Sequence, residues 1–230
     1  MDVFGEALKD QFLKPPAETL WVHNSYDEPE EMPVDIYFRD EEDMPELELK
    51  ALDLCKGKTL DVGAGVGSHA LILQRRGYDV TGMDISATAV TVMKQRGLKK
   101  VIEGNILTHL GEKYDTLLFM MNGIGLTGTI GGLTSFLQRV KDSLNPGGQL
   151  VFDSSDLSYL YQEDIQLPKN GYYGEVNFRY EYKGIKGNWF KWVYVDQETL
   201  KSIARKQGWI TEIIFEDDSD QYLAKLFLPK

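Results

Sequence analysis

Leu60-Asp61-Val62-Gly63-Ala64-Gly65-Val66-Gly67 is the stretch that decides the fold. An apolar run ends in three glycines at alternate positions and passes into Ser68-His69-Ala70-Leu71, where a helical pattern begins. Glycine has no Cβ, so the backbone can turn sharply here and come close to a ligand. The first turn of the following helix offers unpaired N–H groups to polar or anionic ligand atoms. In open α/β sheets the ligand lies beyond the carboxyl ends of the strands, which is where this loop falls.

Outward from the loop, short apolar runs alternate with helical patterns. Thr59–Val62 predicts a strand and 67–76 a helix; Asp79–Asp84 is the next strand, with a helix over 86–96. Val101-Ile102 is short, Tyr114–Met120 is a near-continuous apolar strand, 130–144 is helical, and Gln149–Asp153 is a fifth strand. Continuous apolar strands separated by helices mean a parallel sheet covered on both faces, and right-handed crossovers make it doubly wound. After an irregular 154–170, Gly174–Tyr182 alternates with period two, Lys183–Gly187 is a turn, and Trp189–Val195 is a second strand. A helix over 197–207 ends at Gly208, and two last strands, Ile210–Phe215 and Gln221–Leu228, flank the acidic turn Asp217–Asp220. Before the core, 1–18 is mildly amphipathic and 24–48 is strongly acidic, the usual mark of a solvated surface segment.

Composition narrows the partners. The chain has 230 residues, 25 Lys and Arg against 36 Asp and Glu, and a formal charge of −11. Such a surface repels phosphate backbones, so nucleic acid and anionic membrane are not expected partners. No apolar run approaches the roughly 20 residues of a membrane span, and the start of the chain lacks a signal-peptide pattern. The lone Cys55 cannot form an internal disulfide, which fits a reducing compartment, and the expected location is the cytoplasm. Cys55 is read as a partly buried apolar residue near a strand, with a catalytic thiol as the alternative. No Cys/His cluster suggests a metal.

Asp84 lies 19 residues beyond Gly65 at the end of the second strand. A carboxylate there can accept hydrogen bonds from both ribose hydroxyls of an adenosine-type cofactor, or it can cap the helix that Ile85-Ser86 enters. S-adenosylmethionine (SAM) and NAD both carry such a ribose. The dinucleotide fingerprint would require glycine where this chain has Ser68. Asp61, just before the glycines, suits the ammonium of SAM and disfavours a diphosphate.

At this point residues 58–153 resemble the class I SAM-dependent methyltransferases. Asp61–Gly67 resembles that family's first motif and Asp84 its ribose acid. Glu103-Gly104-Asn105-Ile106 resembles the segment beside the adenine, with Asn105 where members often place Asp. Tyr114–Gly123 resembles the fourth motif, and Leu144-Asn145-Pro146-Gly147-Gly148 the turn before the fifth strand. The resemblance implies a mostly parallel seven-stranded sheet closed by an antiparallel C-terminal strand, with SAM as cofactor. It implies cofactor contacts at Asp61, Gly63, Ala64, Gly65, Gly67, Asp84, Ile85, Asn105, Ile106, Met121 and Asn122. The whole of 1–230 is then one methyltransferase domain, with an N-terminal helical and lid segment (1–50), the cofactor core (58–153), an inserted hairpin cover (154–195) and a C-terminal helix and β-hairpin (196–230).

The acceptor is less legible. Met120-Met121-Asn122-Gly123 lacks the [DN]PP[YFW] motif of nucleobase and glutamine methylation. Asn122 is either a substrate contact or part of a tight loop. No catalytic base stands out: His69 reads as packing or catalysis, His23 and His109 as surface, and Asp153 borders the expected pocket. Tyr37-Phe38-Arg39 interrupts the acidic stretch and is expected to fold over the cofactor as a lid. Arg39 then pairs either with the cofactor carboxylate or with neighbouring acids. The aromatic hairpin of 172–195 forms a substrate wall, a cover for the sheet or a dimer contact. The expected activity is methyl transfer to a small molecule; a non-catalytic SAM-binding regulator and an NAD-dependent oxidoreductase are the alternatives.

Overall fold

The alternating runs fold into a parallel sheet because helices cover both of its faces. A computed structural model describes residues 1–25, 27–108, 111–161 and 171–229. His109 and the end of the irregular 154–170 segment lie outside the described residues. In chain order the elements are α1 (Val3–Leu13), β1 (Leu20–Asn24), β2 (Glu30–Met32), α2 (Glu46–Leu54), β3 (Lys58–Val62), α3 (Ser68–Arg75), β4 (Asp79–Asp84), α4 (Ala87–Gln95), β5 (Val101–Glu103) and β6 (Tyr114–Phe119). There follow α5 (Ile130–Arg139), β7 (Leu144–Ser155), β8 (Glu175–Tyr182), β9 (Ile185–Lys186), β10 (Phe190–Val193), α6 (Gln197–Lys206), β11 (Ile210–Glu216) and β12 (Gln221–Phe227).

The main sheet has seven strands in the order β11-β12-β7-β6-β3-β4-β5. Strands β3 to β7 run parallel, and β12 inserts antiparallel between β7 and β11. The chain steps outward one way from β3 through β4 to β5, then returns to the other side of β3 with β6. That reversal opens a crevice at the carboxyl ends of β3 and β6. The apolar runs are continuous because neither face is wet: Leu117, Leu118 and Phe119 of β6 are fully buried. On one face Phe119 packs with Phe136 and Leu137 of α5, Ala204 of α6 and Trp209. On the other, Leu118 and Val151 pack with Leu52 of α2, Ile72 of α3 and Met93 of α4.

Helix starts follow ordinary capping chemistry. Ser86 caps α4 by accepting from the Ala89 N–H at 2.9 Å, Thr129 caps α5 and Asp196 caps α6. Ser86, not Asp84, is therefore the cap of α4. Cys55 is buried and donates to the Ala51 carbonyl at 3.4 Å; burial pushes its thiol up to about 12, which makes it inert. Among the described residues no helix is long and apolar enough to cross a membrane.

The acidic stretch departs from the solvated segment expected of it. It contains β2, two short 3-10 turns (Asp35–Phe38 and Glu41–Asp43) and the start of α2, with Val34, Met44 and Leu47 buried. The aromatic hairpin is also more than a local insertion. Its strand β8 pairs antiparallel with β1, 158 residues away at the His23–Glu181 contact, and builds a second sheet of order β10-β8-β1-β2 with β9 on β8. Leu20, Val22 and Asn24 lie opposite Tyr182, Tyr180 and Phe178.

This second sheet is pinned to the first at Trp192, whose indole N–H donates to the Asn122 carbonyl at 3.1 Å. Gly125 lies under the same ring: a Cβ there would fall 2.0 Å from Trp192 Nε1. A Gly125→Ala protein should therefore unfold roughly 3–10 °C lower in a thermal melt, since overpacking a fixed aromatic costs about 1–3 kcal/mol. A melt within 1 °C or so of the parent would show that the two sheets are not coupled through this contact.

Candidate active site

The glycine loop lies at the crevice, and its conformation explains its composition. Gly63, Gly65 and Gly67 take φ of 68°, 56° and 81°, the left-handed region that side chains avoid. A Cβ on Gly63 would meet nothing within 4 Å, so this residue borders open space, whereas one on Gly67 would press on Met93 at 3.0 Å. Asp84 at the end of β4 braces the loop: Oδ2 accepts from the Gly65 N–H and Oδ1 from the Ser86 N–H, both at 2.8 Å. Each oxygen keeps a lone pair for a further donor.

The loop opens into a cavity of about 780 Å³. Of the residues singled out in the sequence, Arg39, Asp61, Gly63, Ala64, Asp84, Ile85, Asn105, Ile106 and Met121 line it. Gly65 and Gly67 do not; they shape the loop, Gly65 beneath the Tyr37 ring and Gly67 against Met93 of α4. Asn122 does not line it either. Its N–H donates to Asp153 Oδ2 at 2.8 Å, its side-chain carbonyl accepts from Ser155 at 3.1 Å, and its backbone carbonyl holds Trp192. Of the two readings of Asn122, the structure matches the tight loop. Asp153 does not line the cavity: its Oδ2 accepts from the Asn122 N–H and from the Gln221 amide, both at 2.8 Å, and its Oδ1 is buried without a partner among the described residues.

A buried chain of charge closes one end of the cavity. Arg39 Nη2 donates to Glu48 Oε1 at 2.6 Å, and Glu48 Oε2 lies 2.7 Å from His69 Nε2. Arg39 thus meets a neighbouring acid while lining the cavity, and its Nε is buried without a partner among the described residues. Asp61 is 1% exposed and its Oδ2 likewise has no partner there. Burial pushes Asp61 up to about 6, although the charge of His69 pulls the other way. Burial does the same to Asp84 and Asp153, each also to about 6. Burial alone would lower His69, but the Glu48 hydrogen bond and the charges of Asp61, Glu48 and Asp153 outweigh it and raise the imidazole. The bond to Glu48 engages the Nε2 of His69.

The 3-10 turn of Asp35–Phe38 does fold over the glycine loop. Ser68 Oγ donates to the Tyr37 carbonyl at 2.6 Å, and Arg96 reaches Val66 O at 2.8 Å and Ser68 Oγ at 3.0 Å. Tyr37 lies edge-on to Phe4 of α1, with centroids 5.0 Å apart, and Phe4 stacks on Tyr180 of β8, also at 5.0 Å. Asp2 caps α1 and bonds to Ser86 beside Asp84. Sequence reading missed Glu48, Phe4 and Asp2, whereas Tyr180 lies in the aromatic hairpin it singled out. Ser68 carried a usable signal, since it stands where a dinucleotide loop has glycine and its hydroxyl is what receives the lid.

Comparison with known proteins accords with this geometry. Residues 38–211 match a methyltransferase domain family. A SAM-dependent methyltransferase from Bacteroides fragilis, crystallised with S-adenosyl-L-homocysteine, is 39% identical, with 99% of this chain and 94% of that one aligned at a TM-score of 0.92. The chain is a class I SAM-dependent methyltransferase. SAM is its cofactor. The sugar N-methyltransferase KedS8 from Streptoalloteichus sp ATCC 53650 is 13% identical (87% and 95% of the two chains, TM-score 0.59). The amino pentose methyltransferase CalS10 from Micromonospora echinaspora is 15% identical (79% and 91%, TM-score 0.57). These two share the fold with the methyltransferase. No curated protein sequence matches it.

The raised groups give the methyltransferase a pH signature. Asp61, Asp84 and Asp153 have folded values near 6 against an ordinary 3.8, and His69 is also raised. A group raised by folding contributes stability below its unfolded value and loses it as pH rises through its folded value. Glu48 is lowered and acts oppositely, but below the range of interest. The ligand-free protein should therefore melt higher at pH 5.5 than at pH 7.5 in scanning fluorimetry. Asp61→Asn should narrow that difference and raise the midpoint at pH 7.5.

Proposed function

We propose that this methyltransferase moves the methyl group of SAM to a small molecule bound under its second sheet. The observation that carries this reading is the continuity of one cavity from the glycine loop to the aromatic face of β8 and β10. When bound, SAM supplies an electrophilic methyl on a sulfonium, ready for in-line displacement. The protein's contribution is then chiefly alignment and exclusion of water, worth up to roughly 7–11 kcal/mol in well-oriented cases.

Residues lining the cavity fit each part of the cofactor. Asp84 accepts from the ribose hydroxyls with lone pairs left over from Gly65 and Ser86. Gly63 and Ala64 let the backbone approach, and Ile85, Asn105 and Ile106 border the adenine. The open Oδ2 of Asp61 takes the ammonium, and the spare Nε of Arg39 faces the carboxylate. Met121 borders the transferring group. Glu48 and His69 hold Arg39 in place, so they are positioning residues.

A small acceptor is favoured over nucleic acid by the charge of −11 and by an entrance that carries Glu30 and Glu31. A regulator without turnover would have no use for the cavity beyond the cofactor end.

Calorimetry should show SAM binding that falls about 100-fold in Asp84→Ala, the loss of two charged hydrogen bonds, with no NAD binding in either protein. Retained affinity would remove Asp84 from the ribose. Arg39→Ala should weaken SAM roughly 10-fold; unchanged affinity would leave Arg39 as a partner of Glu48 alone.

A further inference from the structure

Strand pleating sorts the second sheet into two faces. Phe178 and Tyr180 on β8, opposite Asn24 and Val22, share the inward face with Phe190 and Trp192 of β10 and with Glu30 of β2, which stands opposite Val22. All five of these side chains line the cavity, and Tyr194 continues the row. The four rings are only half-buried, so their uncovered surfaces border the cavity. They touch one another: Tyr180 to Phe190 at 5.3 Å, Phe190 to Trp192 at 6.1 Å, and Phe178 to Phe190 at 6.2 Å between centroids. The wall is thus pre-formed and needs no side chain to be ordered on binding.

The charges at this end of the cavity are acidic in balance. Outside the cofactor end, the charged residues lining it are Glu30, Glu31 and Lys191. Rings present negative faces, and carboxylates at the mouth add to the same field. Among the described residues lining this end there is no imidazole and no thiol. Tyr180 and Tyr37 are phenols that burial pushes well above their ordinary value, so they do not serve as bases.

Resting on the methyl transfer proposed above, we infer that the acceptor is an amine carried on a flat apolar body, the body lying against Phe178, Tyr180, Phe190 and Trp192 and the cation drawn in by Glu30. The aromatic wall and the acidic mouth suit a positive charge that moves rather than one that vanishes. An alcohol would need a base to remove its proton during attack. An amine does not: its proton leaves to water at the open mouth before the reaction. The nitrogen lone pair then forms the N–CH₃ bond while the S–CH₃ bond breaks with its electrons left on sulfur. The products are S-adenosylhomocysteine and an N-methylammonium whose charge faces the rings.

The test uses the full chain with SAM and three probes: 2-phenylethylamine, its hydroxyl counterpart 2-phenylethanol, and methylamine. Release of S-adenosylhomocysteine and the mass of the product are read, and SAM affinity is measured separately by calorimetry. We expect methylation of 2-phenylethylamine, none of 2-phenylethanol, and a KM for methylamine at least 10-fold higher. Glu30→Gln, an exposed change that does not endanger folding, should raise the KM for 2-phenylethylamine roughly 10-fold with kcat nearly unchanged. Phe190→Ala should do the same if it retains SAM affinity. The inference is overturned if an enzyme that binds SAM methylates the alcohol as readily as the amine, leaves 2-phenylethylamine unmethylated, or shows an unaltered KM in Glu30→Gln. Failure of the parent protein to bind SAM would bring down the reading beneath it, and the acceptor with it.

Discussion

Glu48 is a carboxylate with 7% exposure, and the site is arranged around the need to keep it paired. One oxygen meets Arg39 at 2.6 Å and the other meets His69 at 2.7 Å. Those partners come from the lid turn and from the first turn of α3, so a single buried carboxylate ties the N-terminal segment to the helix that follows the glycine loop. Removing one member of such a chain strands the others away from water, which typically costs about 3–5 kcal/mol. The pairing lowers Glu48 and raises His69, each against the effect of its own burial.

From that anchor the cavity acquires its two ends. At one end lie the charged groups with spare valence, Asp61 and Arg39, each with a buried atom that has no partner among the described residues. Of the orphaned buried atoms among the described residues, these two alone belong to residues that line the cavity, and the proposed placement of the cofactor's polar atoms rests on them. At the other end lies the aromatic sheet, with Tyr37, Phe4 and Tyr180 in a continuous run from lid to α1 to β8. The lid therefore touches the cofactor loop directly and the aromatic sheet through Phe4, and Trp192 returns that sheet to the end of β6 through Asn122.

The main sheet was legible because its physics is local. Continuous apolar runs such as Thr116–Phe119 have one explanation, burial on both faces, and the helices between them carry the spacing that covers those faces. The glycine loop was legible for the same reason, since alternate glycines report a left-handed backbone directly. Asp84 followed from its distance along the chain, because a strand–helix–strand unit has a nearly fixed length. For Asn122 the sequence left a ligand contact and a tight loop equally open, and nothing near it pointed to the Trp192 indole, 70 residues away, that its carbonyl holds.

The sequence by itself determined the parallel sheet, the cofactor loop and the acid that braces it, Asp84, because each is written within a few tens of residues. Tertiary structure alone decided that β1 and β2 would join β8 and β10, that an acidic stretch would contain buried Val34 and Leu47, and that Glu48 would stand between Arg39 and His69. The reason is physical. Pairing across 158 residues at His23 and Glu181 and the burial of a charge depend on what the rest of the chain brings alongside. Neither a strand edge nor a carboxylate carries in its own neighbours the identity of its distant partner.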